Sequence, residues 1–282
     1  MNLFEAILLG IIQGLTEFLP ISSTGHLTLF GKIFNLISAE RPEEWTAFIA
    51  VIQLGTLIAV VIYFWKDIWE IIFDFINENL KHRVKFSEQK LNSKLGWLII
   101  IGSVPVGIIG KSLQKVVEGS LTKDLYVIAF SLIGLAIILA IAEKTASLKK
   151  EMKDITGWNA FWIGVAQCFA LIPGSSRSGT TITGGLFLGL NRETAAKFSF
   201  LLSIPAVLAS GLLELFEARK FINPGLTLDM VAATIFAFVF GYFSIDFLLK
   251  YLKRKTTFVF IYYRVALGIL ILVLLSMHII QP

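Results

Sequence analysis

The chain is poor in charge. Of its 282 residues 16% are charged, against about 25% in an ordinary soluble domain. A polar, soluble fold is excluded on that ground. Cysteine is nearly absent. The one residue, Cys168, lies in an apolar run, so no disulfide can form within the chain and a packed thiol is expected. The opening stretch MNLFEAILLG has an acid and no basic region, and no A-x-A site follows it. A cleavable secretion signal is therefore not expected.

What the chain has is apolar length. Hydrophobic residues make up 56% and the mean hydropathy is +0.77. These values describe an integral membrane protein with all of 1–282 in a single polytopic domain. The net charge of +5 fits basic cytoplasmic loops better than a nucleic-acid partner. Likewise the 13% of aromatic residues serves membrane anchoring and packing, not base stacking. A spanning helix needs about 20 mostly apolar residues. Six segments meet or approach this: 46–65, 95–110, 125–142, 197–216, 229–249 and 258–280. The second is short and interrupted by Gly102, Pro105 and Gly107. Two more regions, 1–37 and 158–190, are apolar but broken near the middle by a Pro-x-Ser-Ser sequence. Each half is too short to span, so each region is expected to enter the membrane and return by the same side.

Loop charge sets the orientation. Cations concentrate in 66–94, 143–156 and 250–255, while 38–45 and 217–228 carry fewer. The three basic loops share one side if the six spans alternate and the broken regions do not cross. That side is expected to be cytoplasmic, with both termini outside.

The broken regions resemble each other. GIIQGLTEFLPISSTGH begins at Gly10 and GVAQCFALIPGSSRSG at Gly164. Each has Gln three residues after Gly, then Pro-x-Ser-Ser, a hydroxyl and a glycine. The spans that follow them, 46–65 and 197–216, cross in opposite senses. The expectation is an all-α fold of six transmembrane helices plus two re-entrant hairpins, arranged as an inverted-topology repeat. Its halves are about 1–142 and 158–282, joined by a cytoplasmic loop at 143–157. Such repeats place half-helix ends at a binding site near the bilayer midplane.

The breaks carry the chemistry. Pro20 cannot extend a helix, so the helix holding Gln13 and Glu17 ends near residue 19, with those two side chains on one face. Ser22, Ser23 and Thr24 are all suitable N-caps for the next helix, with His26 in its first turn. In the second break Ser175, Ser176 and Ser178 can cap, and Arg177 adds a planar cation that matches phosphate. Helix N-termini attract anions. Charged groups at membrane depth cost about 2.5–3.5 kcal/mol or more and are usually functional. Glu17, His26 and Arg177 together point to a phosphate site. Blander roles stay open for single residues: caps for Ser22 and Ser175, backbone bridges for Gln13 and Gln167, a packed imidazole for His26, and a plain ion pair for Glu17 with Arg177. Gln53, inside a span, suits either a polar contact or support of the site. On these residues alone a carrier of phosphate or lipid phosphate fits about as well as a phosphatase. A partner-assembly role does not explain the phosphate-friendly groups in both breaks.

QGLTEFLPISSTGH resembles the (E/Q)-x-x-x-E and P-x-S-S-T-G-H region of the undecaprenyl-pyrophosphate phosphatase family, also called the bacitracin-resistance family. PGSSRSGTT is similar to its P-G-x-S-R-S-G-x-T motif, and AVIQLGTLIAV and KFSFLLSIPAVL resemble further family segments. The resemblance covers essentially the whole chain. It implies a bacterial inner-membrane enzyme that removes one phosphate from undecaprenyl diphosphate, a C55 polyprenyl lipid, recycling the carrier for peptidoglycan synthesis and conferring bacitracin resistance. It also implies an active site open to the periplasmic side, a divalent metal (Mg²⁺ or Ca²⁺), and a homodimer among membrane lipids. Carried over by position, the functional residues are Gln13, Glu17, Ser22, Ser23, Thr24, His26, Ser176, Arg177, Ser178 and Thr181. Glu17, Ser23, His26 and Arg177 take catalytic roles, the hydroxyls bind phosphate, and Glu17 with Gln13 hold the metal. Many members have Glu at position 13, so this chain has one carboxylate fewer. Three routes follow from the residues: attack by Ser23 with His26 or Glu17 as base, attack by His26, or attack by water activated by Glu17. The same fold could also return the lipid product across the membrane.

Overall fold

A computed structural model describes residues 2–37, 42–113, 124–218 and 224–281. Among these residues the chain forms eleven α-helices and no strand, with one isolated bridge between Lys150 and Leu190. The helices are α1 (Leu3–Glu17), α2 (Ser23–Ile33), α3 (Pro42–Tyr63), α4 (Trp65–Ile76), α5 (Leu91–Ser112), α6 (Leu125–Thr145), α7 (Gly157–Cys168), α8 (Arg177–Phe187), α9 (Arg192–Ala218), α10 (Pro224–Leu252) and α11 (Phe258–Ser276). Six of them, α3, α5, α6, α9, α10 and α11, are long and apolar enough to cross a membrane. The chain is a multi-pass membrane protein. The loops expected at 38–45 and 217–228 fall partly outside the described residues.

Two elements differ from the sequence reading. Gly102, Pro105 and Gly107 do not interrupt α5, which runs for 22 residues through them. Neighbouring helices let a membrane helix tolerate proline, and Pro105 is buried against them. Gly102 instead admits a close neighbour. A Cβ built on Gly164 of α7 would lie 2.1 Å from the Gly102 carbonyl oxygen, so the two helices meet backbone to backbone. The basic segment 66–94 is not simply loop. It begins with α4, whose Trp65, Trp69 and Phe73 are exposed while Lys197 of α9 pairs with Asp67 at 2.6 Å. An apolar flank with charges opposite is the pattern of a helix lying along a membrane surface.

Four of the five shorter helices, α1, α2, α7 and α8, carry the breaks. Asn2 caps α1 in a capping box with Glu5, and Thr156 caps α7 in the same way with Asn159. Helices α2 and α8 are each 11 residues long. Every one of these features recurs after 154 positions: Asn2 and Thr156, Gly10 and Gly164, Gln13 and Gln167, Ser22 and Ser176, Gly25 and Gly179. At this spacing Pro20 falls opposite Gly174, not Pro173, so the shared Pro-x-Ser-Ser is out of step by one residue. Each leading helix packs on a span of the opposite half, α1 on α10 and α7 on α5. Gly10 serves the first contact as Gly164 serves the second: a Cβ there would stand 2.2 Å from the Ala233 carbonyl oxygen. Small residues permit such approach where apolar packing alone gives little drive.

At the end of the bundle holding the 143–156 segment, buried Glu143 of α6 gathers two other spans. It accepts from Arg192 Nε at 2.6 Å and from the Thr257 hydroxyl at 2.8 Å. This pins α6, α9 and α11 together away from the breaks.

Candidate active site

Helix α1 ends at Glu17 because Pro20 follows, and the chain turns through Phe18–Ile21. Ser22 then takes a positive φ of 74° and caps α2, its Oγ accepting from the Gly25 N–H at 3.2 Å. Ser176 does the same for α8, with φ 67° and Oγ accepting from Gly179 N–H at 3.2 Å. The left-handed region is strained for a serine. Strain at paired positions marks a junction held by its surroundings.

Of the three hydroxyls able to cap α2, Ser22 does so, and this frees Ser23. The Ser23 hydroxyl donates to Glu17 Oε2 at 2.7 Å. Gln13 Nε2, one turn earlier on α1, donates to the same oxygen at 3.0 Å. Glu17 Oε1 pairs with Arg177 Nη2 from the second break and accepts from Gln53 Nε2 of α3 at 3.3 Å. The carboxylate is thus buried with both oxygens engaged. A buried ion pair is sustained only when hydrogen bonds satisfy its remaining capacity, and Ser23, Gln13 and Gln53 provide them. A second link joins the breaks: the Ser178 hydroxyl donates to the Leu19 carbonyl at 3.0 Å.

The breaks open on one cavity of about 710 Å³. Glu17, Ser22, Ser23, Thr24, Ser176 and Arg177 line it. Beyond them the walls are mostly apolar, from Val106 and Gly107 of α5 to Pro205 and Leu213 of α9, with Lys111 also on the lining. A polar end continuous with an apolar arm suits a ligand with a charged head and a hydrocarbon tail.

The remaining sequence candidates stand behind this wall. Gln13 backs Glu17. Thr181 donates to the Arg177 carbonyl at 2.7 Å and pairs with Ser199 of α9, fixing the first turn of α8. Ser178 spends its hydroxyl on Leu19. His26 has both ring nitrogens occupied. Nδ1 lies 2.6 Å from the Ser22 carbonyl, which can only accept, so Nδ1 carries a proton. Nε2 of the neutral ring is left to accept from the Tyr263 hydroxyl at 2.7 Å, and the two rings are near parallel at 5.5 Å.

Tyr263 and Arg264 of α11 are residues that the sequence reading missed. Arg264 is fully buried. Its Nη2 donates to the Ser175 carbonyl at 2.9 Å, and a Cβ on Gly179 would press on its Nη1 at 2.7 Å. The available signal was an arginine inside the apolar run 258–280, since charge at membrane depth is rarely idle. Tyr263 gave no signal, because aromatic residues are common in spans.

Similarity to known proteins covers nearly the whole chain. The model of the bacitracin resistance protein BacA family matches residues 6–270. The undecaprenyl-diphosphatase of Syntrophobacter fumaroxidans is 56% identical over 268 residues, 95% of each chain. That of Pelodictyon phaeoclathratiforme is 48% identical over the full length of both chains. That of Chlorobaculum tepidum is 46% identical over 98% of both. The match spans α1 to α11 and includes both breaks, so the chain belongs to the BacA bacitracin resistance family.

Proposed function

We infer that this protein is a membrane phosphatase that hydrolyses undecaprenyl diphosphate to undecaprenyl phosphate and inorganic phosphate. One observation carries the reading. The Ser23 hydroxyl, the Glu17 carboxylate and the Arg177 guanidinium stand in line on the wall of one cavity, with Ser23 2.7 Å from its base. This is the nucleophile–base pairing of covalent catalysis, with a third group orienting the base. A carrier needs no hydroxyl held against a carboxylate.

The reaction runs as follows. The diphosphate enters the polar end and draws Arg177 from Glu17, since guanidinium binds phosphate oxygens with two parallel hydrogen bonds. Ser23 Oγ attacks the terminal phosphorus and its proton passes to Glu17. The bond to the bridging oxygen breaks and undecaprenyl phosphate leaves. Glu17 passes that proton to the departing phosphate, water attacks the phosphoserine and loses a proton to Glu17, and Glu17 returns it to Ser23 Oγ as the serine–phosphorus bond breaks and phosphate is released. N–H groups at the starts of α2 and α8 add positive potential. Positioning and charge neutralisation carry most of the rate in such transfers. With both nitrogens engaged, His26 acts by holding the Ser22 carbonyl and so the first turn of α2.

The residues present do not fit a resident divalent ion. Among the described residues Glu17 is the one carboxylate on the wall, both its oxygens are engaged, and no cluster of three His, Cys, Asp or Glu occurs. Mg²⁺ or Ca²⁺ belongs to this reading as a companion of the diphosphate, because such ions bind through substrate phosphates and few carboxylates. No step above uses it.

In the membrane, the reading takes α1–α2 and α7–α8 as re-entrant hairpins of an inverted repeat, supported by their common spacing and their exchanged packing on α10 and α5. With the basic loops cytoplasmic, the C-terminal ends of α5 and α9, and with them Lys111 and Leu213, face the periplasm. Lipid released there re-enters peptidoglycan synthesis, and its removal from the diphosphate form underlies bacitracin resistance. The repeat also suits return of the lipid phosphate across the bilayer.

The test is phosphate release from a polyprenyl diphosphate by purified protein in detergent, with rapid quench to trap phosphoserine at position 23. Ser23→Ala and Glu17→Gln are expected to lose about 10³-fold or more in kcat. Hydrolysis by Ser23→Ala at the native rate would overturn the nucleophile. Absence of hydrolysis by the native protein would overturn the function.

A further inference from the structure

Gln167 lies on α7 at the position that Gln13 holds on α1. The two glutamines share the local fold and differ in what surrounds them. Four residues after Gln13 comes Glu17, which accepts from its amide at 3.0 Å. Four residues after Gln167 comes Leu171, which offers no side-chain acceptor. Gln167 is fully buried, and neither its Nε2 nor its Oε1 has a hydrogen-bond partner among the described residues. Burying an unpaired amide is costly. Yet α7 would pack at least as well there with leucine or methionine, which carry no such penalty.

Its position supplies the reason. Gln167 lines the cavity that holds Glu17, Ser23 and Arg177. Gly107, Leu171 and Pro205 line the same cavity, as do Ser103 and Ser210. Gly107 leaves the lining open, since a Cβ there would meet no atom within 4 Å. A lipid whose outer phosphate lies at Arg177 carries its inner phosphate next along the molecule, before the hydrocarbon begins. An unpartnered amide on this wall suits that group: turned out of its buried position, Nε2 would donate to a phosphate oxygen and Oε1 would accept from a water of the headgroup.

We propose that Gln167 is a binding residue for the lipid-linked phosphate monoester, the inner phosphate of the substrate and the whole headgroup of the product. The assignment rests on the phosphatase reading for the order of the two phosphates, and its test does not depend on turnover.

Binding of a polyprenyl monophosphate is measured by thermal melting and by titration on the full-length protein in detergent, beside polyprenol and inorganic phosphate as separate ligands. The native protein is expected to be stabilised by the monophosphate more than by polyprenol. Gln167→Leu is expected to melt higher than the native protein without ligand, because an unpaired buried amide is gone. It is expected to bind the monophosphate about tenfold more weakly, the usual size of one hydrogen bond to a charged group. Inhibition by inorganic phosphate, which engages Arg177, is expected to be unchanged. Gln167→Met is the parallel variant should leucine disturb folding, and Gln167→Glu is expected to weaken binding further by repulsion. Unchanged monophosphate affinity in the Leu or Met variant overturns the proposal. So does a lower melting temperature without ligand in both, which makes the amide structural, or a native protein that gains no stability from the monophosphate. If the native protein binds the monophosphate but releases no phosphate from the diphosphate, the phosphatase reading fails while the role of Gln167 stands.

Discussion

Glu17 and Arg177, 160 positions apart in the chain, meet as a part-buried ion pair where the two broken helices abut. Each charge is the other's nearest compensation. A ligand phosphate therefore competes with Glu17 for Arg177, and its arrival leaves Glu17 free to take a proton.

Replacing Arg177 by alanine removes that exchange. Glu17 keeps hydrogen bonds from Ser23, Gln13 and Gln53, so the fold is expected to persist while kcat/KM falls by about 10²-fold or more, the range seen for a preorganised charge at a reacting centre. Arg177→Lys is expected to restore little, because an ammonium cannot make the paired bonds. Phosphate release against melting temperature in detergent checks both.

Tyr263→Phe deletes one hydroxyl and keeps the ring stacked on His26. Loss of one hydrogen bond is expected to cost about 0.5–1.5 kcal/mol. If His26 acts by holding α2, kcat falls by roughly tenfold at most, and no phosphohistidine forms in the native protein. An acid-labile phosphate on position 26 after rapid quench would show His26 to be the nucleophile.

Gly10 and Gly164 are packing contacts, and a side chain on either pushes two helices apart. Gly164→Val is expected to destabilise by about 1–3 kcal/mol, the usual cost of overpacking, and to widen the contact between α7 and α5. Because α7 leads into the second break, activity should fall more than melting temperature. Gly107→Val, with open space at its Cβ, is the control, expected to leave stability near native and to raise KM by narrowing the apolar arm.

Lys111 lines the same cavity on the last turn of α5. A cation at a mouth raises the local concentration of an anionic ligand, and salt screens that effect. Lys111→Ala is expected to raise KM several-fold at low salt with kcat unchanged, the difference shrinking as salt is added. Steady-state kinetics at two ionic strengths decide this.

Much of this site was legible in the sequence, and the unread part has physical causes. The six spans follow from apolar length, and the cost of charge in a membrane marks Glu17 and Arg177 as site residues, while their direct pairing is on the sequence only the blander of two readings. Which serine caps each helix does not, because it turns on the positive φ at Ser22 and Ser176, and three adjacent hydroxyls are equally good caps by composition. The slip of one residue between Pro20 and Pro173 hid the same fact. The 95–110 segment reads as broken because Gly102 and Pro105 disfavour a helix on propensity alone, whereas in a packed bundle the glycine invites a neighbour. Helix α4 is hidden because it opens the basic segment 66–94, although it holds one lysine, Lys66. Arg264 does not stand out because one cation does little to the average of a long apolar run.

Tyr263 and Arg264 are consecutive on α11, and one grips the first break while the other grips the second. A single helix therefore sets the register between two halves that no short loop connects. A turn of α11 about its axis would loosen both grips at once, so the two breaks answer together to the placement of one helix.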